Sequence, residues 1–130
     1  MLNSREHPAE CYVGLRDYTV KGREYVDGPS IVLKADGTVT ASGKAVTKIA
    51  PGKWIHLEVQ LDLGQPGQAG AAPKSYRLAV GVAGDKPQVF QGIPYADPQF
   101  SQLTWFGFAS TGSPGSVFYV DNIALTLVGK

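Results

Sequence analysis

Trp54, His56, Glu58 and Gln60 alternate along the stretch "WIHLEVQLDLG" with Ile55, Leu57, Val59, Leu61 and Leu63. Successive side chains of a β-strand point to opposite faces, so this spacing predicts an apolar face and a face bearing a ring, an imidazole, a carboxylate and an amide. Three chemistries could use that second face. Glu58 and Asp62 could work as an acid–base pair, His56 and Glu58 could chelate a cation, or Trp54 could stack on a ligand ring whose substituents the polar neighbours hydrogen-bond. Strand length disfavours the first: the two carboxylates lie about 13 Å apart along an extended chain, beyond the ~5–9.5 Å that glycosidases use. The second lacks an identifiable third ligand. The third needs only what the strand already presents, although the same alternation is also the ordinary wet face of an antiparallel sheet.

A second strand of the same kind is "ECYVGLRDY", with Cys11, Val13 and Leu15 on one side and Tyr12, Gly14, Arg16 and Tyr18 on the other. Tyr12, Arg16, Tyr18, Trp54, His56, Glu58 and Gln60 are therefore the candidate ligand-binding residues. Phosphate-cradling loops, dinucleotide fingerprints, His-Glu-x-x-His and paired cysteines at zinc spacing do not occur in the sequence. Ser30 in "GPSIV" lacks the second glycine of a nucleophile elbow, and Cys11, the single cysteine, reads as a small core residue on its apolar stripe. No catalytic constellation is complete.

The elements that must position these residues are short. Sixteen glycines and nine prolines punctuate runs rich in Val, Ile, Thr, Tyr and Phe, and no run of helical period stands out. Asp36-Gly37 between "SIVLK" and "TVTAS" is a strong hairpin signal, because glycine accepts the positive φ of a tight turn. Further strands are expected at "AVTKI", at the Trp54 stretch, at "SYRLAVGVA", at "QVFQG", at "LTWFGFAS" and at "SVFYVDNIALTLV". "GQPGQAGAAPK" is expected to be an exposed loop, and Trp105, Phe106 and Phe108 of "WFGF" read as core packing. The expected fold is all-β: one domain over residues 1–130, a two-sheet antiparallel sandwich of the jelly-roll kind.

With 43% hydrophobic and 18% charged residues the composition is globular, and twelve basic against eleven acidic residues leave a net charge of +1. No field draws nucleic acid or an anionic membrane, and no apolar run is long enough for a spanning helix or a secretory signal.

The ending "GSVFYVDNIALTLV" resembles the terminal strand of concanavalin A-like jelly rolls and carbohydrate-binding modules. So does the order of a Trp opening a long strand after Pro51-Gly52, a Gly-rich loop, "YRLAV" and a short hairpin; the resemblance covers the chain from Pro51 onward. It implies a non-catalytic carbohydrate-binding or adhesion module of a larger extracellular or cell-envelope protein, binding polysaccharide or glycan on a polar-aromatic sheet face. In such endings the aspartate often supplies an oxygen ligand to a structural calcium, so the resemblance makes Asp121 the candidate calcium ligand, while the commoner role for such a residue is a structural hydrogen bond to a neighbouring turn or bulge, with no cofactor. "GLRDY" resembles the arginine-bearing strand of jelly-roll polysaccharide lyases, in which Arg16 would bind a uronate carboxylate; the Gln-x-His and Tyr-x-Lys partners of those enzymes are not evident. A remnant of a polysaccharide-active enzyme, hydrolase or lyase, and a structural or protein-interaction sandwich are the alternatives. Such domains often run longer, so the chain could be part of a larger jelly roll that completes its sheet by pairing an exposed edge with another copy in a homodimer.

Overall fold

Turns set the sheets. The computed structural model describes residues 1–64 and 73–127, and the body of the "GQPGQAGAAPK" loop lies outside them. The strands are β1 (Leu2–Asn3), β2 (Cys11–Asp17), β3 (Val26–Leu33), β4 (Thr38–Ala41), β5 (Lys44–Lys48), β6 (Ile55–Leu61), β7 (Ser75–Val82), β8 (Gln88–Pro94), β9 (Trp105–Ser110) and β10 (Phe118–Tyr119). Gly37, at φ 91°, turns β3 into β4 with its N–H donating to the Lys34 carbonyl at 2.9 Å. Ser42 and Gly43 both take positive φ between β4 and β5, as a two-residue hairpin loop requires.

The larger sheet has five strands in the order β5-β4-β3-β2-β9, and the smaller has three in the order β6-β7-β8. All these pairings are antiparallel. The chain makes a meander in the larger sheet, crosses to a meander in the smaller one, and returns as β9 to pair with β2. β1 and β10 form a short ladder of their own, joined to the smaller sheet by the bridge between Leu2 and Trp54.

Both sheets contribute to a single apolar core. Cys11, Val13, Val26, Ile31, Leu33, Val39 and Ala41 come from the larger sheet, and Ile55, Tyr76, Leu78 and Val80 from the smaller, with Leu57, Val59 and Leu61 packed at its margin. This is the alternation expected of β2 and β6: the apolar set of each faces the core, and the other set faces out. The architecture is thus an all-β pair of packed antiparallel sheets. Burying one core between them points their outer faces in opposite directions.

β3 begins earlier than "SIVLK" suggests. Gly14 pairs with Ser30 but Arg16 pairs with Asp27, so Gly28 and Pro29 together oppose Leu15 in a bulge. The bulge is what lets Pro29, which has no N–H, sit fully buried inside the sheet. Gly28 is needed for packing: a Cβ there would come within 2.6 Å of the ring of Phe100, which is completely buried.

The end of the chain departs from expectation. Only Phe118 and Tyr119 of "SVFYVDNIALTLV" pair with another strand; residues 120–127 extend no ladder among the described residues, 121–127 are exposed, and Val128 lies outside the described residues. The ladder of β10 with β1 spans Leu2 and Asn3, and further on Asn122 takes a left-handed conformation (φ 53°) that breaks strand geometry.

Candidate functional site

The outer face of β2 carries Tyr12, Gly14 and Arg16, and β9 brings Trp105 opposite Arg16 and Gly107 opposite Gly14. The two glycines let the rings lie close to the sheet. A Cβ on Gly107 would fall 2.6 Å from the Trp105 ring, and one on Gly14 would fall 3.0 Å from the Tyr12 ring and 3.4 Å from that of Trp105. Tyr12 and Trp105 therefore meet over a floor of bare backbone. Tyr12 is further fixed by its hydroxyl, which accepts a hydrogen bond from Ser30 Oγ at 2.9 Å.

Arg16 extends this strip. Its guanidinium carbon lies 4.1 Å from the centroid of Tyr25 and 4.7 Å from that of Trp105. Its Nε donates to Asp27 Oδ1 at 3.0 Å. Burial would lower the Arg16 pKa, but hydrogen bonds to Tyr18 and Asp27 and the charge of Asp27 outweigh it and raise it above its ordinary value. Arg16 is thus an ion-paired, ring-stacked guanidinium, not a bare cation awaiting a carboxylate. Tyr18, 45% exposed, packs against Tyr25 with ring centroids 5.4 Å apart. The strip runs from Tyr12 through Trp105, Arg16 and Tyr25 to Tyr18, its rings half-buried or exposed.

A buried carboxylate sets the register of this arrangement. Asp17, wholly inaccessible to solvent, accepts five hydrogen bonds: from Thr19 N and Oγ1, Ser101 N and Oγ, and Gln102 N. Burial alone would raise its pKa; the hydrogen bonds from Thr19, Gln102 and Ser101 more than offset that and hold it below the ordinary carboxylate value. The bonds from Ser101 and Gln102 pin the loop leading into β9 to the end of β2. Thr104 continues the tie, its N–H donating to the Arg16 carbonyl at 3.0 Å and its Oγ1 accepting from Tyr18 N at 2.9 Å. Trp105, the next residue, is thereby delivered opposite Arg16.

The other candidates lie elsewhere. His56, Glu58 and Gln60 are exposed on the outer face of the smaller sheet, with Trp54 just before them at 45% exposure. The core separates them from the Tyr12–Arg16 strip, so the two sets cannot form one site. Glu58 Oε1 accepts from Gln60 Nε2 at 2.7 Å and from Arg77 Nη1 at 3.1 Å, while Asp62 Oδ1 accepts from Gly64 N at 2.8 Å; they do not act as a pair. Asp121 Oδ1 accepts from Asn122 N at 2.8 Å, and no group of three His, Cys, Asp or Glu residues suited to a metal occurs among the described residues. Among the described residues, small depressions occur at Gly37, Ile49 and Pro51 and at Tyr95 and Phe100, and neither is lined by a residue of the strip.

Sequence reasoning found Tyr12, Arg16 and Tyr18 but not Tyr25, Asp27 or Trp105. For Trp105 a signal existed: it shares parity with Gly107 and Ala109, opposite to Phe106 and Phe108, and Phe108 is the member that packs against the core. Tyr25 and Asp27 were hidden by Gly28-Pro29, which reads as a break when it is a bulge. No family model, curated protein or solved structure matches the chain.

Proposed function

We propose that the domain is a non-catalytic carbohydrate-binding module that takes a glycan across the outer face of β2 and β9. The observation that carries this reading is the strip itself: Tyr12, Trp105, Tyr25 and Tyr18 gathered on one face, two of them over a glycine floor, with Asp27 and Ser30 set among them. A sugar presents an apolar C–H face and a rim of hydroxyls, so it is held by rings that stack and by polar groups at their margins. A shallow strip suits an extended chain of sugars better than a single enclosed residue. On this reading the sandwich is a jelly roll of the concanavalin A-like type, and its setting is extracellular or in a cell envelope as part of a larger protein.

Binding is tested by titrating the purified domain against a panel of soluble polysaccharides and oligosaccharides, with calcium and with chelator. Saturable binding that weakens at least tenfold in Trp105→Ala, about 1.4 kcal/mol, and is unchanged in Trp54→Ala supports the reading. A folded domain that binds no member of the panel overturns it, and loss on Trp54→Ala alone would move the site to the smaller sheet.

A further inference from the structure

Arg16 and Asp27 are the two charged side chains of the strip, and their charges cancel. Tyr12 and Trp105 lie to one side of the pair and Tyr25 and Tyr18 to the other, so a glycan that spans the rings passes over it. The contact is close, 3.0 Å from Nε to Oδ1, yet both side chains keep some access to solvent, 20% for Arg16 and 26% for Asp27. Neither group is used up by the other. Nε is one of several N–H donors on a guanidinium, and it takes one of several acceptor directions of a carboxylate. An incoming ligand therefore meets donors and acceptors side by side.

That arrangement suits a hydroxyl, which both donates and accepts: it can give its proton to Asp27 and take one from Arg16. A carboxylate can only accept. To reach Arg16 a uronate must stand beside Asp27, where two like charges share one cation, and the neutral pair supplies no net attraction to offset their repulsion. Nor can Arg16 readily follow an acidic ligand. Its guanidinium carbon lies 4.1 Å from the Tyr25 centroid and 4.7 Å from that of Trp105, and swinging away from Asp27 would forfeit both ring contacts. Glu10, two residues before Tyr12 and in the same phase, adds a second carboxylate toward that end of the strip. Lys21 and Arg23 belong to the loop beyond Tyr18, and Arg23 is paired with Asp97 at 3.2 Å.

We infer, resting on the glycan reading above, that the strip takes an uncharged glycan and that Asp27 is the residue that excludes acidic sugars. This is the reverse of the chemistry that "GLRDY" suggests. There an unpaired Arg16 would receive a uronate carboxylate; in the folded chain that place is held by a carboxylate of the protein itself.

Matched polysaccharides test this, titrated with chelator present so that no cation bridges two carboxylates. Each neutral polysaccharide of the panel is set beside an acidic form of the same backbone: mixed-linkage β-glucan, mannan and the other hexosans oxidised to the carboxylate at C6, and xylan and the other pentosans carboxymethylated. The expected result is neutral binding at least tenfold tighter than acidic, changing less than twofold between 50 and 500 mM salt. Asp27→Asn keeps the shape and removes the excluding charge. In that variant the ratio of acidic to neutral affinity should rise at least tenfold, and acidic binding should weaken with salt. A merely structural role for Asp27 would weaken both forms together and leave the ratio where it was. Acidic forms that bind the wild type as tightly as neutral ones overturn the inference and leave the glycan reading standing, as does an unchanged ratio in Asp27→Asn. A folded chain that binds neither form of any polysaccharide overturns both.

Discussion

Arg16 and Trp105 face one another across β2 and β9, with the guanidinium carbon 4.7 Å from the indole centroid and Asp27 closing the other side at 3.0 Å. The ring is held by a cation, the cation by a carboxylate, and the strand that carries the ring by Asp17. The exposed strip thus rests on contacts that are themselves partly buried, and removing any one of them has a measurable consequence.

Asp27→Asn removes the charge that pairs Arg16 and keeps the shape. The expected loss of stability is small, about 1 kcal/mol, because both partners retain some solvent access. Trp105 should nevertheless gain mobility. In a Trp54→Phe background the single remaining tryptophan reports this directly, and its fluorescence anisotropy should fall on Asp27→Asn; an unchanged value would show that the ring is held without Arg16.

Gly107→Ala places a methyl group where the indole now lies, 2.6 Å from it. The side chain, being the movable partner, should swing off the floor, at a cost of about 1–3 kcal/mol for the overpacked site. Glycan binding should fall with it, although no group that touches the ligand has been deleted. Titration of Gly107→Ala beside Trp105→Ala is the check: the two should weaken binding to a similar extent.

Asp17→Ala removes five hydrogen bonds, three from the loop before β9 and two from Thr19, and leaves part-buried donors without their partner, which should cost about 3 kcal/mol. Urea denaturation measures it. The pH dependence has a defined sign. The folded-state pKa of Asp17 lies below its ordinary value of 3.8, so the unfolded chain binds more protons there. Its contribution is complete above that value and is lost as pH falls through the folded pKa. Stability of the wild type should therefore fall more steeply with acid below pH 3.8 than that of Asp17→Asn.

Cys11 should be inert in the native state. It is completely buried, and burial pushes its thiol up to about 11. At pH 8 a thiol reagent is expected to label it only as fast as the protein unfolds, and addition of denaturant should accelerate labelling sharply. Rapid labelling of the folded protein would show that the β2 strand opens locally.

Much of this molecule can be read from local pattern. The parity of Cys11, Val13 and Leu15, of Ile55, Leu57 and Val59, and of Tyr76, Leu78 and Val80 determines which face of each strand is buried, since a strand has only two faces. Asp36-Gly37 marks a hairpin because few residues accept its backbone angles. Two packed antiparallel sheets follow from such strands and turns, and so do Tyr12 and Arg16 as outward-facing residues. Which strands are neighbours does not follow. β2 pairs with β9, far along the chain, and that pairing alone joins Tyr12 and Arg16 to Trp105 while leaving Trp54, His56, Glu58 and Gln60 on the opposite outer face. At the bulge of Gly28-Pro29, which brings Asp27 to Arg16, the backbone of Gly28 is covered by the ring of Phe100, a residue far along the chain. The strand propensity of residues 121–127 is evident in sequence, yet a ladder needs a second edge, and among the described residues the ladder of β10 spans Leu2 and Asn3. Periodicity reports the faces of an element; only tertiary pairing decides what each face meets.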